Sequence, residues 1–222
     1  MTQTAIIPII VLRFKNYIKF KRYFLTSLLI GSLLPDLDLF FYLIFGEFFH
    51  NCIFHNLFFL VFSFLIIMIY GEYKKDIKYK NIAFGFISGI AIHLLLNVLT
   101  FQPVGLFYPL FSASENFNLN NIFKISKINN LNEILKASDF IFFRFYGWFL
   151  IEEIIKTPNY NSSQISKIKL WMKIELSIFL LFLLLIYFGM NGAQIIKIHG
   201  FLLLPSLMAA LYFTFKLRKN IQ

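Results

Sequence analysis

Long apolar segments separated by short basic ones dominate the chain. Apolar runs such as residues 57–70 and 176–190 recur along it, and the second run contains no charged residue. A bilayer core of about 30 Å is crossed by about 20 mainly apolar helical residues. The pattern therefore predicts an all-α fold, a polytopic integral membrane bundle of about 5 spanning helices within a range of about 4 to 6. The predicted spans cover approximately residues 24–45, 55–70, 82–101, 170–190 and 198–215.

One further segment, residues 139–155, fits either an interfacial or a spanning helix. It is aromatic and apolar, but it contains Arg144 and the Glu152-Glu153 pair. We accordingly divide the chain into three predicted parts. They are a membrane domain (1–111), an extracytoplasmic excursion with the interfacial or spanning helix (112–169) and a C-terminal transmembrane hairpin (170–222).

Composition supports the membrane interpretation and changes the meaning of the basic charge. Hydrophobic residues make up 59% of the chain and charged residues 14%, whereas soluble domains average about 25% charged residues. The net charge of +10 comes from Lys and Arg clusters beside the apolar runs, which is the positive-inside distribution and favours contact with anionic lipid. We therefore predict a multi-pass cell-membrane protein with a cytoplasmic N-terminus, with membrane lipids as partners and no nucleic acid.

Several ionisable residues interrupt the first three predicted spans. Asp36 and Asp38 follow Pro35 in the first span, His50 and His55 flank the start of the second, and His93 lies within the third. Such residues are costly inside a bilayer and by default indicate a site. At about 1.5 Å per residue from the cytoplasmic ends, Asp36 and His93 lie roughly 18 Å deep and His55 roughly 24 Å deep. The similar depth places a single candidate site in the outer half of the bilayer.

The residue types suit a metal ion. Carboxylate and imidazole groups are ligands for Zn²⁺, Mn²⁺ or Fe, and a cation would compensate buried carboxylates. His93 and Asn97 are one turn apart on one helix face, while Pro35 disrupts the helix that carries both aspartates. We predict a divalent metal, with zinc preferred and manganese or iron as alternatives, held by five residues: Asp36, Asp38, His50, His55 and His93.

Structural explanations exist for each residue taken singly. Asp38 could cap the helix that follows it, and a histidine in an apolar helix often donates a hydrogen bond to a neighbouring carbonyl group. The single cysteine, Cys52, excludes an intrachain disulfide and a thiolate metal cluster. The coincidence in depth favours the metal interpretation for the set.

Three motifs in this region resemble the YdjM-type family of membrane-bound, metal-dependent hydrolases. The motifs are Gly31-Ser-Leu-Leu-Pro-Asp-Leu-Asp38, His50-Asn-Cys-Ile-Phe-His55 and Gly89-Ile-Ala-Ile-His-Leu-Leu-Leu-Asn-Val-Leu-Thr100, followed by Gly105 and Pro109. They match the family's Pro-Asp-x-Asp, His-Arg-Gly-x-x-His-Ser and Gly-x-x-x-His-x-x-x-Asp-x-x-Thr patterns in order and spacing. The resemblance covers about residues 24–111 and implies distant similarity to zinc-dependent phospholipase C and single-strand nucleases.

The chain departs from the family pattern at ligand positions. Asn97 stands where the family has Asp, Asn51 and Cys52 replace Arg-Gly, and Asn56 stands where Ser is frequent. The histidine that many members carry near the N-terminus is also missing. Since an amide oxygen is a weaker ligand than a carboxylate, these departures favour a mononuclear or a degenerate site over a multinuclear one.

The resemblance and the ligand set together predict a membrane-bound metal-dependent hydrolase. Its expected substrate is a phosphoester or a lipid-linked molecule, and Asn97 is a candidate for orienting water. Two alternatives remain open at this point. One is a non-enzymatic membrane protein that binds or conducts a cation, and the other is a degenerate family member with a structural role.

Overall fold

In the computed structural model, every regular element among the described residues is helical. The described residues are 5–15, 21, 23–45, 53–99, 105–110, 131–157, 162–188, 192–219 and 221. In chain order, the elements are α1 (Ile6–Phe14), α2 (Phe24–Leu33), a 3₁₀ turn (Leu34–Leu37), α3 (Asp38–Phe45), α4 (Leu57–Lys74), α5 (Lys78–Leu99), α6 (Leu131–Ile155), α7 (Ser162–Tyr187) and α8 (Gly192–Lys216).

Five helical segments are long and apolar enough to cross a membrane. They are Phe24–Phe45, Leu57–Lys74, Lys78–Leu99, Ser162–Tyr187 and Lys197–Lys216. These segments correspond one to one to the five predicted spans, so the prediction of an all-α polytopic bundle is confirmed. α6, which contains residues 139–155, is not among them, and the choice between an interfacial and a spanning helix there stays a prediction.

The described chain separates into two compact units. Residues 14–125 form an N-terminal unit, while residues 1–13 and 126–221 form a C-terminal unit. The predicted excursion begins at residue 112, and its first part, residues 112–130, lies outside the described residues. The three-part division made from the sequence stays a prediction.

Glycine residues bring α2 and α5 into backbone contact within the N-terminal unit. A Cβ atom added at Gly85 would lie 2.3 Å from the Phe24 carbonyl oxygen, and one added at Gly89 would lie 2.2 Å from the Leu28 carbonyl oxygen. Glycine at a four-residue spacing allows such a close approach between membrane helices.

Pro35 ends α2 by removing a backbone donor. Proline has no N–H group with which to continue the helical hydrogen bonds, and the chain passes through the 3₁₀ turn Leu34–Leu37 before α3 begins at Asp38. The turn contains Asp36, and both aspartate side chains are fully buried or nearly so. The predicted disruption at Pro35 is thus present, and it turns the two carboxylates into the protein.

Asn56 fixes the start of α4 and so the position of His55. The Asn56 side chain accepts a hydrogen bond from the Phe59 N–H group at 2.6 Å and donates one to the Ile53 carbonyl oxygen at 2.7 Å. This is an N-cap interaction, which satisfies a helix-end donor. No residue of Leu57–Lys74 is buried, as expected for a helix whose apolar side chains face lipid.

α6, α7 and α8 form the core of the C-terminal unit. The Phe140 ring stacks on Phe182 with centroids 5.3 Å apart, and the buried Tyr146 and Thr214 hydroxyl groups are hydrogen-bonded at 2.6 Å. Buried polar groups therefore occur inside this unit as well as in the N-terminal one.

Candidate metal centre

Asp36, His55 and His93 meet in the interior of the N-terminal unit. The Nε2 atoms of His55 and His93 lie 3.1 Å apart. Asp36 Oδ1 lies 3.8 Å from His55 Nε2 and 3.6 Å from His93 Nε2. The exposed fractions of the three residues are 1%, 0% and 3% respectively. Three separate elements, the 3₁₀ turn, the segment before α4, and α5, thus supply one compact buried group that could hold a metal ion.

The Nδ1 atom of each imidazole ring, which points away from the cluster, lies within hydrogen-bond distance of an oxygen atom. His93 Nδ1 lies 2.8 Å from the Ser32 carbonyl oxygen, and His55 Nδ1 lies 2.9 Å from Asp38 Oδ2. A carbonyl oxygen accepts hydrogen bonds only, so His93 Nδ1 carries the proton of the neutral ring, and an ionised Asp38 would hold His55 in the same tautomer. In that arrangement the two Nε2 atoms present lone pairs to each other and to Asp36.

Three facing acceptor atoms need a proton or a metal ion between them. Two lone-pair nitrogens at 3.1 Å repel unless a proton or a metal ion intervenes, and Asp36 Oδ2 makes no hydrogen bond to any described residue. Zinc–ligand bonds of about 2.0–2.2 Å in a tetrahedron separate the ligand atoms by about 3.3–3.6 Å. The separations of 3.1, 3.6 and 3.8 Å bracket that range, whereas the two longer ones exceed a direct hydrogen bond. The residues fit a metal ion.

Asp38 contacts His55 on the side of the ring opposite to Asp36. Its Oδ1 accepts a hydrogen bond from the Phe54 N–H group at 2.7 Å, and its Oδ2 is engaged by His55. These two hydrogen bonds link Asp38 to the segment before α4. The sequence had suggested instead that Asp38 could cap its own helix, α3. A carboxylate behind a ligating histidine fixes the ring and raises its basicity. The prediction of Asp38 as a direct ligand stays a prediction.

Asn97 lies beside the cluster, one helical turn after His93. Its amide nitrogen is 3.0 Å from His93 Nε2, so the N–H group donates to the lone pair that a metal would use. Rotation of the amide by a half turn would present the oxygen instead. Asn97 therefore reaches the centre, as the spacing indicated, and its role in orienting water stays a prediction.

The remaining predicted ligand, His50, lies outside the described residues. Sequence reasoning also missed two main-chain partners, the Ser32 carbonyl group and the Phe54 N–H group. Backbone groups exist at every residue, so no side-chain pattern distinguishes them. The one usable signal was Pro35, which predicts a broken helix with altered backbone hydrogen bonding nearby.

The fold and the buried cluster define a polytopic helical membrane protein with a possible metal site. The family model described as "YdjM inner membrane protein" matches residues 3–198. The chain belongs to this YdjM inner membrane protein family, and the match extends well beyond the three motifs at residues 24–111. No curated protein matches the chain, and no solved structure does.

Proposed function

We propose that the protein is a membrane-bound hydrolase that depends on one divalent metal ion, with zinc preferred and manganese or iron as alternatives. Asp36, His55 and His93 hold the ion, and the substrate is a phosphoester of a lipid or a lipid-linked molecule. The observation that carries this proposal is the meeting of Asp36 Oδ1, His55 Nε2 and His93 Nε2 at separations of 3.1, 3.6 and 3.8 Å, which are close to those between the ligands of a tetrahedral zinc ion.

The three ligands found among the described residues suit a catalytic type of site. Catalytic zinc sites use three protein ligands and keep one position for water, whereas structural sites are closed by four. A bound ion supplies Lewis-acid chemistry, lowering the pKa of a water molecule to about 7 and polarising a phosphoryl oxygen.

The protein side chains have separate tasks around the ion. Asp38 holds the His55 ring through Nδ1, and the Ser32 carbonyl group does the same for His93. Asn97, with its amide 3.0 Å from His93 Nε2, orients the attacking water. Asp36 supplies the one carboxylate charge that directly faces both rings.

Two features support a membrane-associated phosphoester as the substrate. Asp36 and His93 lie on segments that are long and apolar enough to span a bilayer, and His55 lies two residues before a third such segment. The motif resemblance points to phosphoester hydrolysis. The predicted depth would place the reaction in the outer half of the membrane, where a lipid headgroup can approach from the interface.

The test is hydrolysis by purified, zinc-loaded protein in mixed micelles. Phospholipids and generic phosphodiesters serve as substrates for wild type, Asp36→Asn, His93→Ala and the control His199→Ala, which removes a buried histidine from the C-terminal unit. We expect activity in wild type and His199→Ala, and its loss in the other two variants and with chelator. Hydrolysis that survives both chelator and Asp36→Asn would refute the proposal.

A second function, non-enzymatic cation binding or conduction, is favoured by the deep burial of the ligands. All three are at most 3% exposed, which suits a small ion better than a phosphoester. Metal uptake into vesicles containing the protein, without turnover of any phosphoester, would support this alternative. If the protein is instead a degenerate family member whose site no longer binds metal, His93→Ala should leave both thermal stability and metal content unchanged.

A further inference from the structure

Two Trp–Glu pairs with the same spacing occur in the C-terminal unit. In α6, the Trp148 indole N–H group donates to Glu152 Oε1 at 2.8 Å, and in α7 the Trp171 indole donates to Glu175 Oε1. Each glutamate lies one helical turn after its tryptophan. The first pair is exposed, whereas the second is buried, so the chain contains two versions of one hydrogen bond in different surroundings.

Glu175 is a buried residue of α7, a helix that is long and apolar enough to span a membrane. Its exposed fraction is 1% and that of Trp171 is 6%. The indole satisfies Oε1, while Oε2 is buried and has no hydrogen-bond partner among the described residues. An ionised carboxylate in such a position would leave half of its charge without a donor, which is strongly unfavourable in an apolar interior.

The charged and titratable groups on the packed helices are engaged elsewhere. From α6, Arg144 donates to the Met172 carbonyl oxygen at 3.0 Å, and Asp139 pairs with His199 of α8 at 3.2 Å. Tyr146 is bonded to Thr214 of α8. Lys173, on α7 itself, is exposed. Among the described residues, Glu175 forms no salt bridge.

A hydroxyl group of α8 is suited to accept a hydrogen bond from a protonated Glu175. Ser206 lies next to the carboxyl group, and its own hydroxyl donates to the Leu202 carbonyl oxygen at 3.2 Å. Its oxygen therefore keeps a lone pair available for a donor on the glutamate. The surroundings offer an indole donor to Oε1 and no donor to the buried Oε2 among the described residues, which favours a neutral carboxylic acid over a carboxylate.

We infer that Glu175 is a proton-binding site within the membrane-spanning part of the C-terminal unit. At neutral pH the proton resides on Oε2, and it exchanges with water. Binding transfers one proton from hydronium to the carboxylate, so that one O–H bond of hydronium breaks, one O–H bond forms on Glu175 and a water molecule is left, and release reverses this step. The ligand is the proton itself, and the site is separate from the Asp–His–His cluster.

Infrared difference spectroscopy of the purified full-length protein in lipid nanodiscs tests this inference. The carbonyl stretch of a protonated carboxylic acid is distinct from carboxylate bands. At pH 7, wild type minus Glu175→Gln should contain one acid carbonyl band, which shifts in D₂O and disappears on alkalinisation. Wild type minus Glu152→Gln, the matched control at a partly exposed glutamate, should contain carboxylate bands only.

Other results would overturn the inference. Carboxylate bands at pH 7 in the Glu175→Gln difference would mean that the group is ionised. An acid band that neither shifts in D₂O nor titrates would indicate a fixed structural proton. If the Glu175→Gln protein does not accumulate, Trp171→Phe serves as the second variant, because it retains the Glu175 carboxyl group and removes the indole donor. The acid band should then shift to higher frequency, and an unchanged spectrum would contradict the assignment.

Discussion

Replacing Gly89 with alanine inserts a methyl group at the point where α2 and α5 touch. An ideal Cβ atom there lies 2.2 Å from the Leu28 carbonyl oxygen and 2.7 Å from the Ser32 nitrogen. Both are backbone atoms of a packed helix, so neither can rotate away. Ordinary contact begins at 3.4 Å, which means that the helices must separate locally by about 1.2 Å.

This separation acts directly on the candidate metal centre. His93 follows Gly89 by one turn on α5, and its hydrogen bond to Ser32 crosses to α2 at 2.8 Å. Metal–ligand distances tolerate deviations of about 0.2 Å, several times less than the expected displacement. Loss of an outer hydrogen bond to a ligating histidine costs about 10–100-fold in metal affinity, and we expect at least this weakening. Overpacking should also lower stability by about 1–3 kcal/mol.

The assay is zinc binding measured in competition with a chromogenic chelator, together with thermal unfolding in detergent. The control is Gly147→Ala in the C-terminal unit, where the added Cβ lies 2.7 Å from Met172 Cγ. A flexible methionine side chain can yield there, so zinc affinity should remain at the wild-type value. Wild-type zinc affinity in Gly89→Ala would refute the reasoning that glycine-mediated helix contact sets the ligand geometry.

Three further substitutions test the roles assigned to Asp38, Asn97 and Asn56. Asp38→Asn removes the carboxylate that contacts His55 Nδ1 and should weaken zinc binding by about 10–100-fold without abolishing it. Titration with a competing chelator measures the zinc affinity, and a complete loss of binding would instead support direct ligation by Asp38. Asn97→Asp replaces an N–H donor facing His93 with a negative oxygen and should strengthen binding in the same titration, with weaker binding contradicting the assigned position. Asn56→Ala removes the α4 N-cap and should cost about 1 kcal/mol of stability, measured by denaturant unfolding, and an unchanged unfolding midpoint would argue against the capping role.

The spans could be predicted well because the bilayer imposes one dominant constraint. The first predicted span, residues 24–45, coincides with the observed segment Phe24–Phe45. Other boundaries differ where a helix continues into polar sequence. α7 begins at Ser162 rather than near residue 170, since Lys and Ser residues can extend a helix beyond its apolar part.

The meeting of Asp36, His55 and His93 could be anticipated from their similar depth, because helices fix the rise per residue. Which face each side chain takes was not predictable from depth alone. Asp36 and Asp38 are two residues apart, yet they contact opposite sides of the His55 ring, because the 3₁₀ turn rotates the chain between them. Glu175 was also overlooked, since a single carboxylate near the start of an apolar run resembles an interfacial residue.

The most direct test of the central claim is elemental analysis of the purified full-length protein. It compares wild type with Asp36→Ala after dialysis in chelator-free buffer. We expect about one divalent metal ion per chain in wild type, as one three-ligand centre requires, and a loss of most of it in the variant. Wild-type protein without stoichiometric metal, or equal metal in both proteins, would contradict the assignment of the buried Asp–His–His cluster as a metal centre.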